Sequence, residues 1–592
     1  MKCHLYINLI PVGNVGDILI EHSKKLLFFI ILCNLFFSVI VGAEPQPSSA
    51  PPINGWVPRE INIDRTEIPK NILAVVPFGG VSHLRHILTI ANILADRGYN
   101  ITLTMRGTFP QSQQYPKINF ISFGETVDLT KNSQFLELVQ GKFDMEKVKI
   151  IFQKRFETYN STFVQLEKIS EIVKPDLFFC DILNNESCFD VAWLKNKPFV
   201  GIATNTMGFS HASYKSDPIF GCKVNMENES FWERFRCELI TPLKFVWSFK
   251  SSLAEFNKLR ANYGLPALNN PFEKWQSSLF LFDNFFGFDI PVPLPPLVQE
   301  IGPILPDYYP PLTPDIEKFL TSHKRTMFVA LGSFLYLSPE NNAKLLQSVI
   351  EAVENGIVDG VIWANIIKNR ESFPSNITLS NGRVISTSDI FENKNPNIHM
   401  ASFAPQFAVL NHTNTKLFLS HTGAGSAYES LYTGTPILAL PITFDQPGNA
   451  EKLELAGVAL TLDKINLNVN DILDKIKRIL NDDQILSNTK RLKTLTMINS
   501  KRKYRGADLI EYALHSSALK QKNANDDSES VFKDLITPDT RMGLIRGKYW
   551  DVYATALGIL VSILFGTLWS LYTIGKLIYV KLFKDEDKEK KE

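Results

Sequence analysis

A chain of 592 residues is too long for a single hydrophobic core and implies about two or three domains. With 62 Lys and Arg against 61 Asp and Glu, its formal net charge of +1 gives no sign of the basic face that nucleic-acid binding requires, so no nucleic-acid partner is expected. Apolar content is ordinary at 45%, and the departures from average lie at the two ends.

Near the start, Lys24-Lys25 lead into LLFFIILCNLFFSVIVGA, closing on Val41-Gly42-Ala43. A basic flank, a short apolar core and a small-residue site describe a secretory signal peptide over residues 1–43, either cleaved before Glu44 or kept as an anchor. Such a chain folds where glycans and disulfides form. Sequons begin at Asn100, Asn160, Asn185, Asn228, Asn376 and Asn411; Asn100 opens the strand NITLTM and is expected to be inaccessible. Cys3 and Cys33 lie in or before the signal, which leaves four cysteines and three pairings. Cys222 and Cys237 flank a polar segment and are the favoured pair. Cys180 and Cys188, around a strand end, are expected as free buried thiols.

From residue 67 the pattern alternates between strand and helix. ILAVVPF (72–78), the helical HLRHILTIANILADRG (83–98) and ITLTM make a βαβ unit, followed by DLFFCD (176–181), PFVGIAT (198–204) and SLFLFDN (278–284). Prolines crowd residues 291–315, where neither central strand nor helix tolerates them, apart from the short strand candidate VQEIGPI. A second series runs through TMFVALG (326–332), VIWANI, IHMASFA, LFLSHTG and PILALPI (436–442). The expected organisation is an N-terminal α/β domain over 67–305, a proline-rich linker over 306–324 and a second α/β domain over 325–520. A ligand held between the two domains follows from that arrangement. The aromatic-rich FWERFRCELITPLKFVWSF (231–249) either lines an apolar pocket or lies on a membrane.

Residues 521–550 read as a polar stalk. Residues 552–575 carry no charge and are long enough to cross a bilayer, within an expected transmembrane helix over 551–580. With a signal ahead of it, this helix makes the chain single-pass, the folded body lumenal and the basic tail, 581–592, cytosolic. The closing Lys588-Glu589-Lys590-Lys591-Glu592 resembles a dilysine retrieval signal of the endoplasmic reticulum, and reads equally as a plain stop-transfer charge run.

The stretch LFLSHTGAGS puts small residues between a strand end and a helix start, where an open parallel sheet binds ligands and free helix amides attract an anion. His421 and Ser426 could bond the same phosphates, and Glu429, a turn deeper, could accept from a ribose diol. That set suits a nucleoside diphosphate, although a short turn before any helix also uses glycine.

The whole stretch resembles the signature of the UDP-glycosyltransferases: Phe403-Ala404-Pro405-Gln406, His421-Thr422-Gly423-Ala424-Gly425-Ser426, Glu429, Gly434-Thr435-Pro436, Pro441 and Asp445-Gln446. The resemblance implies two Rossmann-like α/β domains in the GT-B arrangement, with UDP-sugar held mainly by the second. It implies uracil on Phe403 and Gln406, ribose on Glu429, diphosphate on Ser333, His421, Gly423 and Ser426, and sugar on Asp445 and Gln446. Three positions depart from the family pattern. Phe403 stands where tryptophan is usual, Thr422 replaces a glycine and so adds a side chain beside the phosphates, and Gly425 stands where asparagine is common. Trp363 resembles an aromatic near the donor site and reads equally as a core strand residue.

The family's catalytic histidine occupies the turn PFGGVSHLRH, which makes His83 the base for the acceptor hydroxyl, with Asp181 at the end of DLFFCD as its partner. His86 shares the helix face, but no thiol or carboxylate cluster accompanies the two histidines, so no metal is expected. The expected function is inverting transfer of a hexosyl group from UDP-sugar, the donor substrate and not a cofactor, to a lipophilic small-molecule or lipid acceptor. ITFDQPGNA offers no added cation, which leans the donor to a neutral hexose. A homo-oligomer is compatible with this organisation. The alternative is a non-catalytic glycosyltransferase-like membrane scaffold or subunit that binds nucleotide or lipid.

Overall fold

The computed structural model describes residues 64–77, 81–125, 133–141, 145–204, 212–269, 278–332, 337–365, 367–522 and 531–589. The expected signal peptide and Ser333 lie outside these residues. The body from Glu67 onward holds two parallel sheets.

The first sheet has the order β3-β2-β1-β4-β5-β6-β7. Its strands are β1 (Asn71–Val76), β2 (Asn100–Met105), β3 (Ile118–Ser122), β4 (Leu177–Asp181), β5 (Phe199–Ala203), β6 (Leu279–Phe282) and β7 (Val298–Glu300). The apolar runs of β1, β4, β5 and β6 are buried nearly throughout, as befits strands covered on both faces. The linking helices include α1 (Val81–Asp96) after β1 and α2 (Glu186–Leu194) after β4. A longer helix, α3 (Thr241–Ala261), continues through a π turn from a short helical segment, Phe231–Phe235.

The second sheet has the order β12-β9-β8-β13-β14-β15. It comprises β8 (Thr326–Ala330), β9 (Gly360–Ala364), β12 (Ile398–Ala401), β13 (Thr415–Ser420), β14 (Ile437–Ala439) and β15 (Ala459–Thr461). A small antiparallel pair, β10 (Asn376–Thr378) and β11 (Val384–Ser386), sits apart from it. The helices that matter here are α4 (Gln406–Asn411), α5 (Ala424–Thr433) and α6 (Gln446–Leu455). This is the expected α/β fold of two Rossmann-like units. Trp363 is a buried core residue of β9, edge-on to Phe373.

The chain does not finish in its second unit. Helix α7 (Lys503–Lys522) packs on α1, and its Ala507, Leu509, Ile510, Ala513 and Leu514 belong to the first unit's core. Phe532 joins the same core, with Val531, Leu535 and Ile536 packed against it, so residues 531–536 of the expected stalk lie on the body. Polar ties fix the crossing. Glu511 accepts from Tyr99 Oη at 3.0 Å and from Arg97 Nη1 at 2.5 Å, and Lys503 Nζ donates to the Leu305 carbonyl at 2.8 Å. Helix α8 (Trp550–Glu589) follows, and its stretch Trp550–Leu582 is apolar and long enough to cross a membrane, with none of it buried.

The cysteines correct one expectation. Cys222–Cys237 is a disulfide as expected, but Cys180 and Cys188 are also bonded to each other rather than free. The chain turns from the end of β4 straight into α2, so the first helical turn comes back over the strand end and brings the two Cα atoms within 6.3 Å. The sequons divide unexpectedly too. Asn100 is exposed, donating to Asn71 Oδ1 at 3.0 Å, because it precedes the buried part of β2. Asn185 is fully buried and donates to the Val75 carbonyl at 3.0 Å.

Candidate functional site

In both sheets the loops that carry polar side chains leave the carboxyl ends of the strands, and β1 and β4 are hydrogen-bonded neighbours. That adjacency brings His83, in the first turn of α1, to Asp181, the last residue of β4. His83 Nδ1 lies 3.0 Å from Asp181 Oδ2, with the carboxylate buried and the imidazole about a quarter exposed. Burial pulls the His83 pKa down. The Asp181 charge and hydrogen bond, helped by Asp445, outweigh it, and the net direction is up from the ordinary 6.5. Asp445 belongs to the second unit, so its influence spans the two.

His86 faces the same carboxylate from the next turn, Nε2 to Oδ1 at 3.8 Å, but is fully buried. Burial dominates there, with the charges of His83 and Arg85 adding to it against Asp181, and its pKa falls to about 3. His86 is therefore neutral at working pH and fills space behind the pair. Among the described residues no group of three or more His, Cys, Asp or Glu is placed to hold a metal ion.

The second unit's cluster lies beyond β13. His421 follows the strand directly, between two glycines that leave it room: a Cβ at Gly332 would stand 3.1 Å from its Nε2, and one at Gly423 would stand 2.8 Å away. Burial lowers the His421 pKa to about 4, so the ring is neutral and one nitrogen can still donate. Thr422 does not stand beside the phosphate position as its substitution for glycine suggested. Its backbone adopts φ 61°, the left-handed region, which explains why glycine is the usual occupant. Its hydroxyl turns inward, donating to the His421 carbonyl at 2.6 Å and the Gln446 carbonyl at 3.1 Å.

Gly423 is the residue before α5, whose first free amides face the same space. Gln406, at the start of α4, donates through Nε2 to Glu429 Oε2 at 2.8 Å and to Ser426 Oγ at 3.1 Å. One amide thus links the residues expected at uracil, diphosphate and ribose. Phe403 is 60% exposed, leaving a ring face open for stacking. Asp445 precedes α6, and its Oδ2 accepts from Asn449 Nδ2 at 2.8 Å. The side-chain oxygen of Gln446 accepts the Ile442 and Thr443 amides at 2.9 and 3.2 Å, which leaves its nitrogen for a ligand. The nearby cation Lys452 donates to Asp289 Oδ2 at 2.7 Å instead.

Sequence reasoning missed Arg85. From α1 of the first unit its Nη1 reaches Glu429 Oε1 of the second at 2.9 Å and the Gly425 carbonyl at 3.3 Å. Nothing in the sequence around Arg85 marks this contact, because i and i+2 positions of a helix do not face the same way. Within residues 231–249, Phe231, Trp232, Phe235, Leu239, Leu243, Val246 and Trp247 are exposed along one stripe.

Comparison with known proteins bears on the family and the fold. The family model for UDP-glucoronosyl and UDP-glucosyl transferase matches residues 211–500. A UDP-glycosyltransferase of Talaromyces amestolkiae is 29% identical over 83% of this chain and 95% of its own length. UDP-glycosyltransferase 1 of Phaeomoniella chlamydospora is 33% identical over 68% of this chain and 80% of its own. The crystal structure of the glycosyltransferase of kitacinnamycin superposes with a TM-score of 0.51, covering 75% of this chain and 99% of that one. At 17% identity that is a likeness of fold.

Proposed function

The chain belongs to the UDP-glycosyltransferase family, and from that premise we propose that it moves a neutral hexosyl group from UDP-sugar to a hydroxyl of a lipophilic acceptor, with inversion and with His83 as base. The observation that carries this reading is the His83–Asp181 pair on the first unit, electrostatically coupled to Asp445 on the second. With Nδ1 turned to Asp181, Nε2 is the atom that takes the acceptor proton. The freed oxygen pair forms the bond to the anomeric carbon while the bond from that carbon to the UDP oxygen breaks, and UDP leaves with those electrons. Displacement from the opposite face inverts the carbon.

Developing charge on the diphosphate is met by fixed donors: the α5 amides, Ser426 and the neutral His421 ring. These supply what a metal supplies elsewhere, and no metal or cofactor enters the proposed step. Asp445 and the Gln446 nitrogen would hold sugar hydroxyls, and the engagement of Lys452 with Asp289 supports a neutral sugar over an acidic one. The apolar stripe on residues 231–247 and the exposed Trp550–Leu582 helix support a membrane site; the signal-like start and the closing lysines support the endoplasmic reticulum with a lumenal body.

The test is UDP release from a panel of UDP-sugars by the detergent-solubilised protein with mixed lipophilic acceptors, beside His83→Ala. Release that needs both an acceptor and His83 supports the reading. UDP binding without turnover on any donor would favour the scaffold alternative.

A further inference from the structure

The geometry points to Arg85 as a donor-recognition residue that the acceptor unit contributes to the nucleotide site, admitted there by the absence of a side chain at Gly425. This inference rests on the donor-site reading above and names a residue of that site.

Three observations meet at one place. The guanidinium crosses from α1 to α5 and is nearly buried against Glu429, with side-chain exposures of 13% and 11%. A Cβ on Gly425 would stand 2.4 Å from Arg85 Nη2 and 2.8 Å from both Cζ and Nη1, so no other residue at 425 coexists with the guanidinium in this position. Arg85 Nε is buried without a hydrogen-bond partner among the described residues, a donor left over after the contacts to Glu429 and Gly425 are made. Gly425 lies in the first turn of α5, where the amides gather an anion, so the spare donor and the positive charge stand at the diphosphate end of the site.

The glycine at 425, where the family commonly has asparagine, then has a physical reason: the donor group comes from the opposite unit instead. Glu429 keeps Oε2 on Gln406 and Oε1 on Arg85, so one carboxylate ties the ribose position to the guanidinium. Arg85 also sits two residues beyond His83 on the same helix, and nucleotide held by Arg85 fixes the helix that carries the base.

The experiment measures UDP affinity by titration calorimetry on full-length, detergent-solubilised protein, for wild type, Arg85→Ala, Arg85→Lys, Gly425→Asn and the Arg85→Ala/Gly425→Asn double variant. Thermal midpoints without UDP separate loss of recognition from loss of fold. Expected are affinities about tenfold weaker for Arg85→Ala and for Gly425→Asn, partial recovery in Arg85→Lys, and a double variant no weaker than either single one. In turnover, KM for the donor should rise while KM for the acceptor holds.

Unchanged affinity in Arg85→Ala overturns the inference, as does a double variant whose losses multiply. Tighter UDP binding in Arg85→Ala also overturns it, since the guanidinium would then be a plug that nucleotide displaces. Failure of the wild type to bind UDP would overturn the donor-site reading itself; binding by wild type with no effect of Arg85 would overturn this inference alone.

Discussion

Asp181 Oδ2 stands 3.0 Å from His83 Nδ1, and the two residues come from neighbouring strands' ends rather than from one loop. Buried and close, the carboxylate fixes which ring nitrogen faces outward and favours the charged imidazolium that forms as the acceptor loses its proton. Removing the imidazole as His83→Ala should lower kcat by about 10²- to 10⁴-fold, the usual contribution of a positioned base. UDP affinity should stay within about twofold, because the nucleotide donors are other groups: the α5 amides, Ser426, His421 and Arg85. Loss of UDP binding along with turnover would mean that the histidine holds structure.

The pH dependence follows in sign. A base works when neutral, and the His83 pKa is raised, so the acid limb of kcat/KM should lie above 6.5. In Asp181→Asn the largest opposing influence is burial, which lowers the pKa. The limb should therefore move to lower pH while the plateau falls about a hundredfold. A limb that stays in place would remove Asp181 as the group that sets it.

Glu429→Ala removes the carboxylate expected at the ribose. Hydrogen bonds to a charged group contribute about 1.5–3 kcal/mol, so UDP should bind roughly 10- to 100-fold more weakly. The comparison with 2′,3′-dideoxy-UDP is the check. Glu429→Ala should no longer distinguish it from UDP, and a preserved preference would place the ribose elsewhere.

The Cys180–Cys188 bond closes a short loop that carries Asp181. On the chain-entropy account its loss in Cys180→Ser/Cys188→Ser should cost about 2–3 kcal/mol in urea unfolding. Turnover should drop more than UDP binding, since the loop belongs to the base and not to the nucleotide site. Equal losses in both would show general unfolding.

Glycopeptide mass spectrometry should find Asn185 unmodified, since its amide is buried on the Val75 carbonyl. Asn160, Asn228, Asn376 and Asn411 are exposed and open to modification. Asn185→Gln should lower the thermal midpoint without changing the glycan mass, and a glycan found on Asn185 in folded protein would contradict its placement.

Much of the fold was legible because its central strands are continuous apolar runs bounded by glycine, proline and polar residues. The strands missed were β3 and β15, at the sheet edges, and the short antiparallel pair β10 and β11, all of which expose part of their length. His83, Asp181 and the residues around His421 were legible because each stands where a strand ends. Arg85 was not, because its partner is 344 residues away and nothing local marks it. Thr422 misled for a different reason: its identity was plain, but the direction of a hydroxyl is set by backbone φ. The Cys180–Cys188 bond depends on a reversal too short to read from composition.

Because α7 returns to the first unit, the second is spliced into the first like a bead held at both ends by one thread. A truncation that sheds the apolar helix by stopping at residue 502 would also strip Ala507, Ile510, Ala513 and Leu514 from the first unit and leave a hole beside α1. Soluble versions must run through Ile536. The same splice ties the apolar helix to the first unit, whose core the chain rejoins just before that helix begins.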